Sequence, residues 1–105
     1  MTVKDGTAES HARIVREIVK EKTVTLGRAG ERLEAALVAV AALAEAWHAG
    51  ASHIAERARL ADEYERAWRA AETARLTLVI QREAVGLRHH RDVDQQFPRP
   101  PRRLG

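Results

Sequence analysis

Apolar and small residues recur in the first half of the chain at alternating spacings of four and three: Val19, Thr23, Leu26, Gly30, Leu33, Leu37, Val40, Ala44 and Trp47. That alternation places all of them on one side of an α-helix. The pattern predicts a helix over about 9–48, about 60 Å long at 1.5 Å per residue. Thr7 or Ser10 is expected to cap its start, with Glu9 in or near the first turn, where negative charge suits the helix dipole. Gly27 and Gly30 leave two readings open. Either the helix runs through and the glycines admit a close backbone crossing, or it breaks within residues 25–30. Arg28, Glu31 and Arg32 carry the helical charge pattern onward and Gly30 falls at an inward position, which favours continuity.

The segment His48-Ala-Gly-Ala-Ser52 reads as a turn. Gly50 can take the left-handed conformation that ends a helix, and Ser52 can cap the next one. A second helix is predicted over about 52–86, with Ile54, Ala58, Ala61, Tyr64, Trp68, Ala71, Ala74, Leu78 and Val85 turned inward. Its outer face offers the ion pairs Arg59–Glu63, Asp62–Arg66, Glu65–Arg69 and Glu72–Arg75, each worth about 0.2–0.5 kcal/mol on a helix surface. Gly86 is expected to end it. A short element over 87–97 follows, in which Val93 and Phe97 lie four apart and can fold back as a clasp. The last residues, Pro98 to Gly105, read as an extended Pro/Arg-rich tail that is loosely docked or merely solubilising. The expected organisation is a single helical-hairpin domain over 1–97 followed by the tail 98–105.

A short turn makes the two long helices antiparallel neighbours. A hairpin this small leaves apolar stripe uncovered, so a partner is expected. The fold class read from the sequence is all-α: a long antiparallel helical hairpin pairing into a dimeric four-helix bundle. Leu26, Gly30, Leu33, Leu37, Val40, Trp47 and Trp68 are its expected interface.

Composition narrows the chemistry. Alanine supplies 20 of 105 residues, and the aromatics are Trp47, Tyr64, Trp68 and Phe97. There is no cysteine, so disulfides, thiolate metal sites and cysteine nucleophiles are excluded. Met1 is followed closely by Lys4 and Asp5, which argues against a signal peptide. The uncharged run from Ala35 to Ala44 falls far short of the ~20 residues that span a bilayer. These features predict a cytoplasmic protein. The formal charge of +3 resides entirely in residues 88–105, where Arg88, Arg91, Arg99, Arg102 and Arg103 face Asp92 and Asp94. The body is balanced, which argues against a nucleic-acid-binding surface.

Candidate chemistry is sparse. Glu45 and His48, with His53 and Glu56, flank the turn at three-residue spacing and are the leading candidates for metal ligands. Solvated side chains near a turn are the better account of them. His89 and His90, with Asp92, Asp94 and His11, form a second candidate group. Arg82 is expected to pair with Glu17 or Glu21 across the hairpin, and with His89 it offers an alternative anion site. Pro98-Arg-Pro-Pro-Arg-Arg103 has the P-x-x-P-x-R spacing of proline-rich ligands. Arg99, Arg102 and Arg103 are therefore the expected partner contacts, with nucleic-acid binding through the tail arginines as the alternative. No catalytic residue and no cofactor is expected, and both tryptophans read as core packing.

Two resemblances accompany these residues. The run from Glu21 to Leu37, with Val79 to Arg88, resembles a family of small bacterial helical proteins without an assigned activity, over about residues 15–95. That resemblance implies fold and origin only. In length, two-helix plan and a tryptophan at the turn, the chain is also similar to the secreted Trp-x-Gly helical-hairpin family. Its turn, Trp47-His-Ala-Gly50, is one residue too long for that motif. Tyr64, the sole tyrosine, lies too early for the family's C-terminal signal. The function expected from the sequence is a non-enzymatic, homodimeric interaction, scaffold or regulatory protein with a protein partner. A metal- or small-molecule-binding bundle, enzymatic or not, is the alternative.

Overall fold

The computed structural model describes residues 2–51 and 53–105, with the side chains of 2–7 outside the description. Three helices follow one another: α1 (Thr2–His48), α2 (Ile54–Ala84) and α3 (Arg91–Gln96). α1 and α2 pack as an antiparallel hairpin, and the molecule is a rod of 79 × 22 × 16 Å.

α1 runs unbroken through Gly27 and Gly30. A Cβ built at either glycine meets nothing within 4 Å. The helix therefore continues as expected, but not because another backbone crosses closely there. Thr23 and Thr25 lie in the same stretch and donate their hydroxyls to the carbonyls of Val19 and Glu21, one turn back, at 2.9 and 3.0 Å. The start of α1 differs from the expectation. Helix begins at Thr2, so Thr7 and Ser10 sit inside it and neither caps it. No proline interrupts residues 2–10, and a single glycine does not break a helix.

The turn behaves as its residues dictate. Ala49 N–H donates to Glu45 O at 2.9 Å, and Gly50 takes φ +99. His53, in extended conformation, is the N-cap of α2. The expected Ser52 cap lies outside the described residues. At the other end of α2, Val85 is the C-cap and Gly86 takes φ +93. Gly86 N–H donates to Glu83 O and Leu87 N–H to Arg82 O, both at 3.0 Å. This is the paired bonding of a Schellman stop, which needs a left-handed residue where Gly86 stands.

The buried seam has two centres. Ala29, Leu33, Leu78 and Val93 form one, with Leu26, Leu37, Ala74 and Phe97 packed against it. Val40, Tyr64 and Ala71 form the other, joined by Leu37, Leu43, Ala44, Ala67, Trp68 and Leu104. Val93 and Phe97 thus clasp the hairpin as the sequence suggested. Within one chain Leu33 and Val40 are fully buried, so these two expected interface positions are occupied by the chain's own α2. The inward face of α2 also differs. Ile54 is 87% exposed, Ala58, Ala61 and Val85 are exposed, and burial begins at Leu60. Arg75, expected on the outer face, is 3% exposed.

α2 is the shorter helix, and its end meets α1 where Val19, Lys22, Thr23 and Leu26 line a recess with Ala84 and Val85. Beyond that point α1 continues alone. Every residue from Ala8 to Val24 is exposed, a span of about 25 Å.

Alanine at Gly27 or Gly30 has open space and a helical backbone to occupy. Each substitution should raise stability by about 0.5–1 kcal/mol in urea unfolding. Leu33→Ala should lower it by about 2–5 kcal/mol. A destabilised Gly30→Ala would mean that something crosses α1 there.

Candidate interaction site

The C-terminal tail does not trail away from the hairpin. After α3 it returns along α2 in the direction of the helix start, and four consecutive residues, Arg99 to Arg102, are held. Arg99 Nε donates to Glu72 Oε1 at 3.0 Å. Trp68 Nε1 donates to the Pro100 carbonyl at 3.2 Å, and the Tyr64 hydroxyl donates to the Pro101 carbonyl. Arg102 grips Glu65 with both terminal nitrogens, at 2.5 and 2.8 Å, while its guanidinium lies 4.4 Å from the centre of the Trp68 ring. Leu104 ends in the second core. The loosely docked tail expected from composition is thus a ligand-like strap on α2.

The match is one of chemistry and length. Prolines lack an N–H, so Pro98, Pro100 and Pro101 present only carbonyls, and α2 answers with the donors of Tyr64 and Trp68. Three residues of extended chain span about 10 Å. Seven residues of helix span about 10.5 Å. Arg99 and Arg102 are three apart, Glu65 and Glu72 are seven apart, and the two pairs close in antiparallel register.

Electrostatics follow from this geometry. The Glu65 carboxyl is held at about 2, against an ordinary 4.5, first by its bonds from Arg102 and then by those from Arg69. The same bond raises Arg102 further above its ordinary value. Burial pushes the Tyr64 phenol up, against the opposing pull of Arg102. The phenol keeps its proton at neutral pH and donates it to the Pro101 carbonyl.

Arg75 secures the root of the tail. Buried between α2 and α3, it donates through Nη2 to the Phe97 carbonyl at 2.7 Å and through Nη1 to Asp94 at 3.3 Å. Its Nε is buried without a hydrogen-bond partner, 3.7 Å from Glu72 Oε1. Glu72 and Asp94 also take Arg99, which closes a ring of alternating charges. Arg82, expected opposite Glu17 or Glu21, instead grips Asp92 at 2.9 and 3.0 Å and donates to His90 Nδ1 and the His89 carbonyl. The α3 segment lies directly beside it, which takes Arg82 from the cross-hairpin pair and from an anion site with His89.

The remaining expected site residues are dispersed. Glu45 and His48 are exposed on the last turn of α1, bordering an open apolar recess of about 590 Å³ beside Tyr64, Pro100 and Pro101. His53 and Glu56 are exposed at the start of α2 and do not line that recess. His90 lies 3.5 Å from Glu83, whereas His11 is exposed on the free end of α1. Among the described residues no group of three or more His, Asp or Glu gathers as a metal site. Trp47 is half-buried, with the Arg57 guanidinium 4.0 Å over its ring. Of the expected partner contacts, Arg99 and Arg102 are engaged within the chain, and Arg103 lines a cleft with Trp47 and Leu104.

Sequence reasoning missed Tyr64, Glu65 and Glu72 as partners of the tail. The signal was present: two aromatic donors four apart and two carboxylates seven apart on one helix, against two arginines three apart in a proline segment. Among the described residues no helix is long and apolar enough to cross a membrane.

Glu65 is depressed in the folded protein. Its contribution is therefore fully present above pH 4.5 and is lost as pH falls towards about 2. Acid titration of Trp68 fluorescence should show a tail-release step in that window. The difference between wild type and Glu65→Gln isolates the effect of this carboxylate. Identical profiles would exclude Glu65 as a clamp. Arg75→Met should cost about 2 kcal/mol in thermal unfolding through its lost bonds to Asp94 and Phe97.

No protein-family model, curated protein or solved structure matches the chain. The two resemblances read from the sequence thus contribute only what the fold itself displays, a small all-helical protein.

Proposed function

We propose that this protein is a non-enzymatic helical interaction module that self-associates through the free N-terminal span of α1. The observation that carries the reading is the unbroken exposure of residues 8–24, which includes Ile14, Val15, Ile18 and Val19. Ile14, Val15 and Ile18 prolong the apolar side of α1 past the recess where Val19 meets the end of α2. Helix faces of this kind are covered in a stable assembly.

A second copy is the occupant that suits this span best. Two such spans laid antiparallel across a twofold axis would each supply the neighbour that α2 supplies elsewhere, and the two-helix cross-section of the rod would continue. Isologous pairing of this type is the commonest way for small proteins to assemble. The span carries Arg13, Arg16, Lys20 and Lys22 against Glu9, Glu17 and Glu21, so two copies meet with nearly balanced charge. The expected interface thereby moves from the hairpin seam, where Leu33 and Val40 are already buried, to the exposed end of α1. A dimer of this form is also the simplest scaffold, since it presents two tail-strapped α2 faces at opposite ends.

Sedimentation equilibrium tests the reading. Wild type should be dimeric at micromolar concentration, and Val15→Asp with Ile18→Asp should be monomeric with its helical circular dichroism retained. A wild type that stays monomeric at high micromolar concentration, or a dimer indifferent to both substitutions, would refute it.

A further inference from the structure

We propose that the α2 face carrying Tyr64, Glu65, Trp68 and Glu72 is a binding site for extended arginine- and proline-containing peptides, with residues 98–105 as its resident occupant. The site reads three features of a peptide at once. Tyr64 and Trp68, one helical turn apart, donate to two consecutive carbonyls. Glu65 and the Trp68 ring take one arginine as a bidentate, stacked pair. Glu72 takes a second arginine three residues earlier. Donors in the middle and carboxylates at the ends select a segment with few N–H groups of its own and with arginines about 10 Å apart.

All four recognition side chains stand on one helix and owe their spacing to α2 alone, so the surface persists when the tail leaves. The tail can leave without unravelling the fold, because its root is held separately. Arg75 grips the Phe97 carbonyl, and Val93 and Phe97 stay in the first core. Beyond Phe97 the tail is attached through side chains of α2, through the Arg99–Asp94 contact and through Leu104. Arg99 and Arg102 are about half exposed, open to exchange from the solvent side. Proline-rich segments suit such exchange, since they are pre-ordered and lose little freedom on docking.

The tethered tail competes at an effective concentration on the order of millimolar. A free peptide should therefore bind wild type weakly and a chain with a weakened tail well. The probe is a fluorescein-labelled synthetic peptide with the sequence of residues 97–105, added to the full-length chain and read by anisotropy. Full-length Arg99→Ala/Arg102→Ala should bind it at least about tenfold more tightly than wild type. Adding Glu65→Gln should abolish that gain, and a peptide with alanine at the three proline positions should bind less well. Circular dichroism verifies that each variant is folded. A second measurement uses wild type alone: millimolar unlabelled peptide added to nitrogen-15-labelled protein should shift the tail amides of Arg102, Leu104 and Gly105 to free-chain positions while the Trp68 indole signal stays bound. Absence of binding to the folded double variant, or tail amides unmoved by millimolar peptide, would overturn the proposal.

Discussion

Two helices packed side by side can bury only one stripe apiece, and in this chain that single seam has to organise 105 residues. Leu33 and Val40 sit at zero exposure along it, and Leu37 links its two centres. A seam so narrow leaves large side chains of both helices half covered. The C-terminal fifth of the chain closes over them, with Val93 and Phe97 at the first centre and Leu104 at the second. The unequal lengths of α1 and α2 decide the rest. Where α2 stops, its seam has no partner, and α1 projects alone with Ile14, Val15 and Ile18 in the open.

The closure is held by charge as much as by apolar contact. A guanidinium taken out of water must be matched by hydrogen bonds or opposite charge. Arg75 is matched by Asp94 and the Phe97 carbonyl, and those partners tie α3 and the root of the tail to α2. Glu72 and Asp94 then share Arg99, and farther along Glu65 takes both Arg69 and Arg102. Most of these pairs are partly exposed and individually weak. Their value lies in register: each fixes where the next can form. The basic excess of the tail, which by itself suggests an anionic partner, is largely answered by carboxylates of the same molecule.

Much of the fold was legible in the residues because it is governed locally. The heptad series marks α1, Gly50 and Gly86 mark the two helix ends, and Val93 with Phe97 marks the clasp. The helix start was read too late because Thr7 and Ser10 are good caps wherever a helix does begin, and that preference does not decide where it begins. The site was less legible. Arg75 forms a plausible surface pair with Glu72 three residues before it, and its spacing is unchanged by the arrival of α3 on top. Arg82 was assigned to α1 for the same reason.

The sequence by itself determined the helical character, the hairpin turn and the residues able to line its seam, since periodicity and turn stereochemistry act within a few residues. Only the tertiary structure decided that Arg75 is buried and that the tail lies on Tyr64 and Trp68. These depend on pairings between residues 19 to 37 positions apart. A proline–arginine composition looks the same whether the segment is docked or free. What distinguishes the two is the agreement between an extended chain and a helix face, a property of neither segment alone.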